Sequence, residues 1–403
     1  MYIYSKRSVL KSSYRKAYYA KRKGRCKMAK IDAKWIDEIW EKIDKKLQKT
    51  AISAREKLPY TTKDGIWEDM REKDVNWWTN GFWGGTMWLM YDATGNEEYK
   101  KTAIRSEELL DAAFKRYDEL HHDVGFMWHL TAGANYRLTG DKNAYTRDMY
   151  AANILSGRFN SKAGYIRAWN DIEKDGDRSG YAIIDCMMNI PLLYWASKES
   201  KDDRFKSVAM AHADKTLKYH VREDGSVNHI VNYNPVTGEV EELLHGQGSH
   251  VGSSWTRGQA WGLYGFTLSY MHTKEERYLN TAKKIANYFI AACCDDYLPK
   301  CDFRSPEEPL YYDASAGMIA ACGLLELAKL LDENEGRMYY NAAVNMIKAA
   351  VDTHADFSDD SEALMHNGTE AYTFGRKNFD MIYTDFFFVE AMNKLKGFNT
   401  FLW

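Results

Sequence analysis

The sequence predicts an all-α protein, an (α/α)6 barrel in which six helical hairpins close into a ring within one domain. Three observations carry this. Only six prolines interrupt 403 residues, and apolar residues recur at helical spacing while strand-like alternation is scarce. The helical stretches alternate between apolar on every side and amphipathic. Short polar links recur along the chain, each followed by an aromatic anchor.

Twelve helices are predicted, over 32–52, 79–94, 96–120, 127–139, 143–158, 181–199, 201–220, 255–272, 274–293, 312–332, 336–354 and 381–396. The even-numbered ones contain GFWGGTMWLM, VGFMWHLTAGANYRL, AIIDCMMNIPLLYW, GQAWGLYGFTL, ASAGMIAACGLLEL and DFFFVEAM. A helix apolar all round must be buried on all sides, so these form an inner ring. The odd-numbered ones, such as EEYKKTAIRSEELLDAAF, have one apolar stripe and form an outer ring. In the sixth helix Pro191 has no amide N–H to donate, which predicts a kink.

The links TGNEEY, TGDKNAY, SKDDRF, TKEERY and DENEGRMY precede outer helices and end on Tyr99, Tyr145, Phe205, Tyr278 and Tyr339. Tight turns on one face leave the long segments near 53–78, 159–180, 221–254, 295–311 and 355–380 on the other. Those loops precede inner helices, where they would build one concave site. A right-handed solenoid of hairpins is the alternative arrangement.

Composition is that of a water-exposed globular chain, 45% apolar and 28% charged, with formal net charge −2. That balance gives no drive toward nucleic acid or anionic membrane. No apolar run reaches the roughly 18 residues of a membrane span. Cys26, Cys186, Cys293, Cys294, Cys301 and Cys322 follow no framework spacing and predict free thiols in a reducing, cytoplasmic compartment. Thirteen Trp, 28 Tyr and 16 Phe suit either a large core or a site where ring faces stack on sugars. Residues 1–27 are basic and lack the apolar stretch of a secretory signal. Met28 opens MAKIDAKWIDEIW, so 1–27 is expected to be a disordered arm or not native, ahead of a catalytic domain at 28–403.

Chemistry-bearing residues cluster at the predicted starts of inner helices. Asp185 stands among isoleucines, methionines and leucines, one turn inside its predicted helix. Burying a carboxylate there costs several kcal/mol unless it is paired or protonated. Asp123 opens another inner helix, so two carboxylates would face one Trp-rich pocket. Desolvation and a nearby like charge both raise a carboxyl pKa, which suits proton donation at neutral pH. A structural role is the competing reading; Asp313 and Asp385 in particular sit where helix caps stand. His121 and His122 beside Asp123 suggest a metal cluster, but no further ligand stands at a recognised spacing, so neither metal nor cofactor is expected.

WWTNGFWGGTMWLMYDATG, HHDVGFMW and above all IIDCMMNIPLLYWAS resemble the unsaturated glucuronyl hydrolases of glycoside hydrolase family 88. The resemblance runs on through VNHIVNYNPVTGEV, HGQGSH, WTRGQAWGLYGF and YYDASAG to IYTDFFFVEAM, covering roughly 32–396 in order. It implies the same (α/α)6 barrel and a two-aspartate site. Asp185 would be general acid and base, with Asp123 its partner carboxylate. Trp78 and Trp169 would flank the sugar ring, with the choice between Trp77 and Trp78 open. His229, Gln247, Arg257 and Trp261 match substrate-contacting positions, and Arg257 is a candidate for the sugar carboxylate.

The implied substrate is a short oligosaccharide with a 4,5-unsaturated uronic acid at its non-reducing end. The implied reaction is hydration of that double bond by a monomer or homodimer. The S-x-x-S-x-K pattern of members that prefer sulfated disaccharides is missing from HNGTEAYTFGRKNFDMIYTD. The enzyme alternatives are an unsaturated rhamnogalacturonyl hydrolase or an ordinary inverting glycosidase on the same barrel. A carbohydrate-binding helical toroid is the non-enzyme alternative.

Overall fold

Short links join each inner helix to the outer helix that follows it, and the helix ends explain why. The computed structural model describes residues 32–171, 176–398 and 401–403. The expected N-terminal arm lies outside the described residues. Twelve helices stand among those described: α1 Ala33–Ser53, α2 Phe82–Thr94, α3 Glu97–Phe114, α4 (a π-helix over Gly125–Gly133 continuing as α-helix over Ala134–Thr139), α5 Lys142–Gly157, α6 Pro191–Ser200, α7 Asp203–Tyr219, α8 Thr256–Thr273, α9 Glu276–Ala292, α10 Ala314–Leu330, α11 Glu333–His354 and α12 Ile382–Lys396.

Four of the five tight links end one helix and cap the next with a side chain; in TKEERY Glu275 makes no such cap. Gly95 and Gly140 close α2 and α4 in the left-handed region, at φ 74° and 81°. Asn96 and Asp141 then accept from Glu98 N and Ala144 N, satisfying first-turn donors of α3 and α5. Asp202 and Asp332 do the same for α7 and α11. The aromatic anchors have a second job. Tyr99 Oη donates to Asp44 Oδ1 of α1 (2.7 Å), Tyr278 Oη to Asp214 Oδ1 of α7 (2.9 Å), and Tyr339 Oη to Asn287 Oδ1 of α9 (3.0 Å). Each ties its outer helix to the preceding outer helix.

The even-numbered helices form the inner ring. Every residue is buried from Thr256 to Ser269 in α8 and from Ala314 to Leu327 in α10. Neighbours pack in sequence around the ring, and α12 returns onto α2. That closure excludes an open solenoid. Trp403 enters the ring's interior, stacking on Phe387 at 6.0 Å and meeting Phe126, Tyr264 and Phe386.

The long loops carry short antiparallel sheets that helical periodicity does not reveal. They are β1 Pro59–Lys63 with β2 Ile66–Asp69, β3 Phe159–Asn160 with β4 Tyr165–Ile166, and a three-stranded sheet of β5 Tyr181–Ile183, β6 Ile230–Tyr233 and β7 Val240–Leu244. This corrects the helix predicted over 181–199. Tyr181–Ile183 pairs with β6, Ile184–Met188 is a 3-10 turn, and the α-helix starts only at Pro191. Proline does not kink the helix; it opens it, at the position where its missing N–H costs nothing.

Candidate active site

The three-stranded sheet brings Asp185 to His229. Ile183 pairs with Ile230, and Ile184 N donates to His229 O (3.1 Å), so the residues that follow and precede the paired ones meet. Asp185 Oδ1 faces His229 Nε2 at 3.7 Å, and neither atom has a protein hydrogen-bond partner. Two groups meet His229 Nδ1: Gln247 N donates to it at 3.0 Å, and the His245 carbonyl lies at 3.3 Å. The shorter contact, whose N–H can only donate, assigns the ring proton to Nε2, toward Asp185. Burial pushes the His229 pKa down to about 3, so the ring is neutral and this is no ion pair. The 3-10 turn packs tightly on α8. A Cβ on Gly265 would stand 2.4 Å from Met187 Cβ, so α8 needs glycine there.

Asp123 comes from the turn before α4. Its Oδ2 lies 3.1 Å from both His121 Nδ1 and His122 Nε2, and its Oδ1 accepts from Asn189 Nδ2 (3.0 Å). Arg158, at the end of α5, fixes this turn from behind. It donates to the carbonyls of Leu120 (3.0 Å) and Ala168 (3.1 Å), and Ala168 O also accepts from His122 N.

The two carboxyls differ in proton affinity. Burial and the charge of Asp123 push the Asp185 pKa up to about 8, against a smaller pull from Arg257. Burial works against ionising Asp123 as well. The two histidines outweigh it and hold that carboxyl below the usual range. Asp185 also keeps more of its side chain open, 18% against 9%. At neutral pH the site therefore holds one proton on the reachable acid and one fixed negative charge behind it.

The other predicted residues arrange around this pair. Trp78 packs on Phe126 (5.7 Å) and Tyr383 (4.8 Å), next to the Asp123 turn. Trp77 turns away to Tyr60 (5.3 Å) and lines a cavity of about 190 Å³ with Glu68, Lys73, Glu370 and Arg376. Trp169 is half-buried and packs against Ala168, Ile183 and Ile230, alongside both acid-bearing turns. Gln247 Nε2 donates to Glu370 O (2.6 Å). Trp261 is wholly buried against Phe126 (5.3 Å) and Phe387 (5.5 Å), beneath the site rather than at its mouth.

Arg257 is buried and well engaged. Nη1 donates to Asp313 Oδ2 (2.5 Å) and Thr369 O (2.8 Å), and Nη2 donates to Glu370 O (2.7 Å). Asp313 also caps α10 at Ser315 N. Asp385 is no cap of its own helix. It accepts from Leu364 N (2.8 Å) and Met365 N (3.0 Å), tethering the loop over 355–380. Sequence reasoning missed Asn189, although it stands four residues beyond Asp185 in the same apolar stretch.

Comparison with known proteins bears on the family and the fold. No family model matches the chain. It is 37% identical over 332 residues to an unsaturated glucuronyl hydrolase of Bacillus sp. (strain GL1), covering 81% of this chain and 88% of that one. It is 31% identical over 368 residues to an unsaturated chondroitin disaccharide hydrolase of Streptococcus pneumoniae, covering 88% and 91%. The chain belongs to the unsaturated glucuronyl hydrolase family. This member shares the family's fold. The crystal structure of the Bacillus sp. GL1 hydrolase matches at TM-score 0.82 and 33% identity, over 91% of this chain and 97% of that one. An unsaturated glucuronyl hydrolase from Streptococcus agalactiae matches at TM-score 0.85 and 29% identity, over 93% and 94%. Like its relatives, this family member is a glycoside hydrolase on an (α/α)6 barrel.

Proposed function

We propose that Asp185 is the general acid and base that removes a 4,5-unsaturated uronic acid from the non-reducing end of lyase-generated oligosaccharides. One observation carries this assignment: the partly open Asp185 carboxyl stands in an apolar wall with its Oδ1 facing His229 Nε2 at 3.7 Å and no protein hydrogen-bond partner, and burial with the charge of Asp123 raises its pKa to about 8. Asp185 gives its proton to C4 of the double bond. Positive character then grows at C5 and the ring oxygen, where the charge of Asp123 is favourable. Asp185, now a carboxylate, takes a proton from water as that water adds at C5. His229 Nε2–H faces the same oxygen and orients the water. The hemiketal formed opens, releasing the leaving sugar and a 4-deoxy-5-keto-uronate. Arg257 acts from behind as a fixed positive charge, since Asp313 and two carbonyls hold its terminal nitrogens.

Trp78 and Trp169 flank the sugar ring. The relatives' names support a glycosaminoglycan-type disaccharide, among them the chondroitin disaccharide hydrolases of streptococci. The loop before α12 favours a substrate without 6-sulfate. Its segment 366–385, HNGTEAYTFGRKNFDMIYTD, has no serines, and Lys377 Nζ donates to its own loop's carbonyls at Phe374 (2.5 Å) and Gly375 (3.2 Å). The five described cysteines are unpaired, which supports work in the cytoplasm on imported lyase products. Among the described residues no helix is long and apolar enough to cross a membrane.

The test is a panel of unsaturated disaccharides that differ only in sulfate position, followed by loss of enol-ether absorbance. Fastest loss with the unsulfated member is expected. No loss with any uronide would overturn the assignment, and turnover of a saturated glycoside would replace it with ordinary glycosidic displacement.

A further inference from the structure

Asn189 lies where the two acid-bearing segments touch. It is wholly buried and closes the 3-10 turn that carries Asp185. Its Oδ1 accepts from Phe126 N (2.8 Å). A backbone N–H can only donate, so the oxygen of the amide is pinned there and the NH2 must face the other way. That NH2 donates to Asp123 Oδ1 (3.0 Å) and lies 3.4 Å from the carbonyl of Asp185. The two segments are too close for any side chain on the glycine between Asp123 and Phe126. A Cβ on Gly125 would stand 2.7 Å from Asn189 Oδ1 and 2.8 Å from Asn189 Cα.

We propose that Asn189 is a positioning residue that locks the Asp123 carboxylate to the Asp185 turn, so that one acid stays charged beside the other. The proposal rests on the two-aspartate reading above. An amide suits this task better than the other polar side chains. It is neutral at every working pH, it satisfies a donor and an acceptor at once, and its orientation cannot reverse while Phe126 N–H holds it. An aspartate would fit the same space and still accept from Phe126 N. Its second oxygen would then face the Asp123 carboxylate, and two acids at that distance must share a proton. The other groups facing Asp123 are His121 and His122 on its own turn, Cys186 and Asp185 on the 3-10 turn, and Arg158 at the end of α5. None of them replaces the lost donor at Oδ1.

The experiment measures kcat and KM against pH for wild type, Asn189→Asp, Asn189→Ser and Asp185→Asn, with an unsaturated disaccharide as substrate and a thermal melt of each. Asn189 touches no substrate. In both Asn189 variants we expect kcat to fall at least tenfold, with KM within about threefold of wild type. The acidic limb lies below the assay range in wild type, because Asp123 titrates below the usual carboxylate range. It should rise into that range in Asn189→Asp, where two neighbouring carboxyls share a proton, and move less far in Asn189→Ser. A fall in Tm or rate with the acidic limb unmoved would reduce Asn189 to a packing residue and overturn the proposal. If Asn189→Asp does not fold, the limb of Asn189→Ser decides. An active Asp185→Asn variant would instead overturn the two-aspartate reading itself.

Discussion

Replacing Asp185 with asparagine should abolish turnover and stabilise the protein, by an amount that depends on pH. In the folded chain the Asp185 carboxyl titrates near 8 because burial and Asp123 disfavour its charge. In the unfolded chain it titrates near 3.9. Between those values the folded state keeps a proton that the unfolded state has released, so stability is lost as pH rises through the window. At pH 7 the loss is on the order of 4 kcal/mol, from about three pH units at 1.36 kcal/mol each. Asparagine keeps the shape of the protonated acid and has nothing to lose. Dividing by an unfolding entropy of about 0.8 kcal/mol/K for a chain of this size gives a Tm gain of about 5 °C. Asp385 and Glu107 also titrate high, near 8 and 7, but wild type and variant both keep them and they cancel. The assay is a pair of thermal melts at pH 4 and pH 7. The gap should open at pH 7 and close toward pH 4, while the wild-type rate falls above a limb near pH 8. A gap equal at both pH values, or a wild type more stable at pH 7, would refute the reasoning.

Asp123→Asn removes the charge that helps hold the Asp185 proton; the basic limb of kcat/KM should move down, with a rate loss of about 100-fold. Asp313→Ala leaves the Arg257 guanidinium buried without its counter-charge, and should cost about 3–5 kcal/mol in a urea titration. Trp78→Ala should raise KM for the disaccharide severalfold, while Trp77→Ala should change it less, because Trp77 faces Tyr60 and a separate cavity. Equal effects from the two tryptophan variants would reassign the ring that meets the sugar.

Much of the architecture was legible before any coordinates, because helical burial leaves a local imprint. A stretch such as GQAWGLYGFTL can only be an inner helix, and links such as TGDKNAY write a left-handed glycine, a cap and an anchor into seven residues. The site was legible to the extent that an acid in an apolar wall is conspicuous. Asp185 announced itself in this way. Asn189, four residues on, did not, since a buried amide looks the same whether it packs or positions.

What the sequence by itself determined is the alternation of apolar and amphipathic helices, the turns that join them, and the odd acid at 185. Tertiary structure decided the rest. It paired Tyr181–Ile183 with Ile230–Tyr233, where the helical period had predicted a helix. It set His229 against Asp185, gave Arg257 to Asp313, and turned Trp78 and Trp77 in different directions. It also separated the two aspartates into one protonated and one charged. The physical reason is range. Helix period, caps and turns depend on neighbours a few residues apart, whereas strand pairing, desolvation and hydrogen-bond partners depend on residues that only the closed ring brings together.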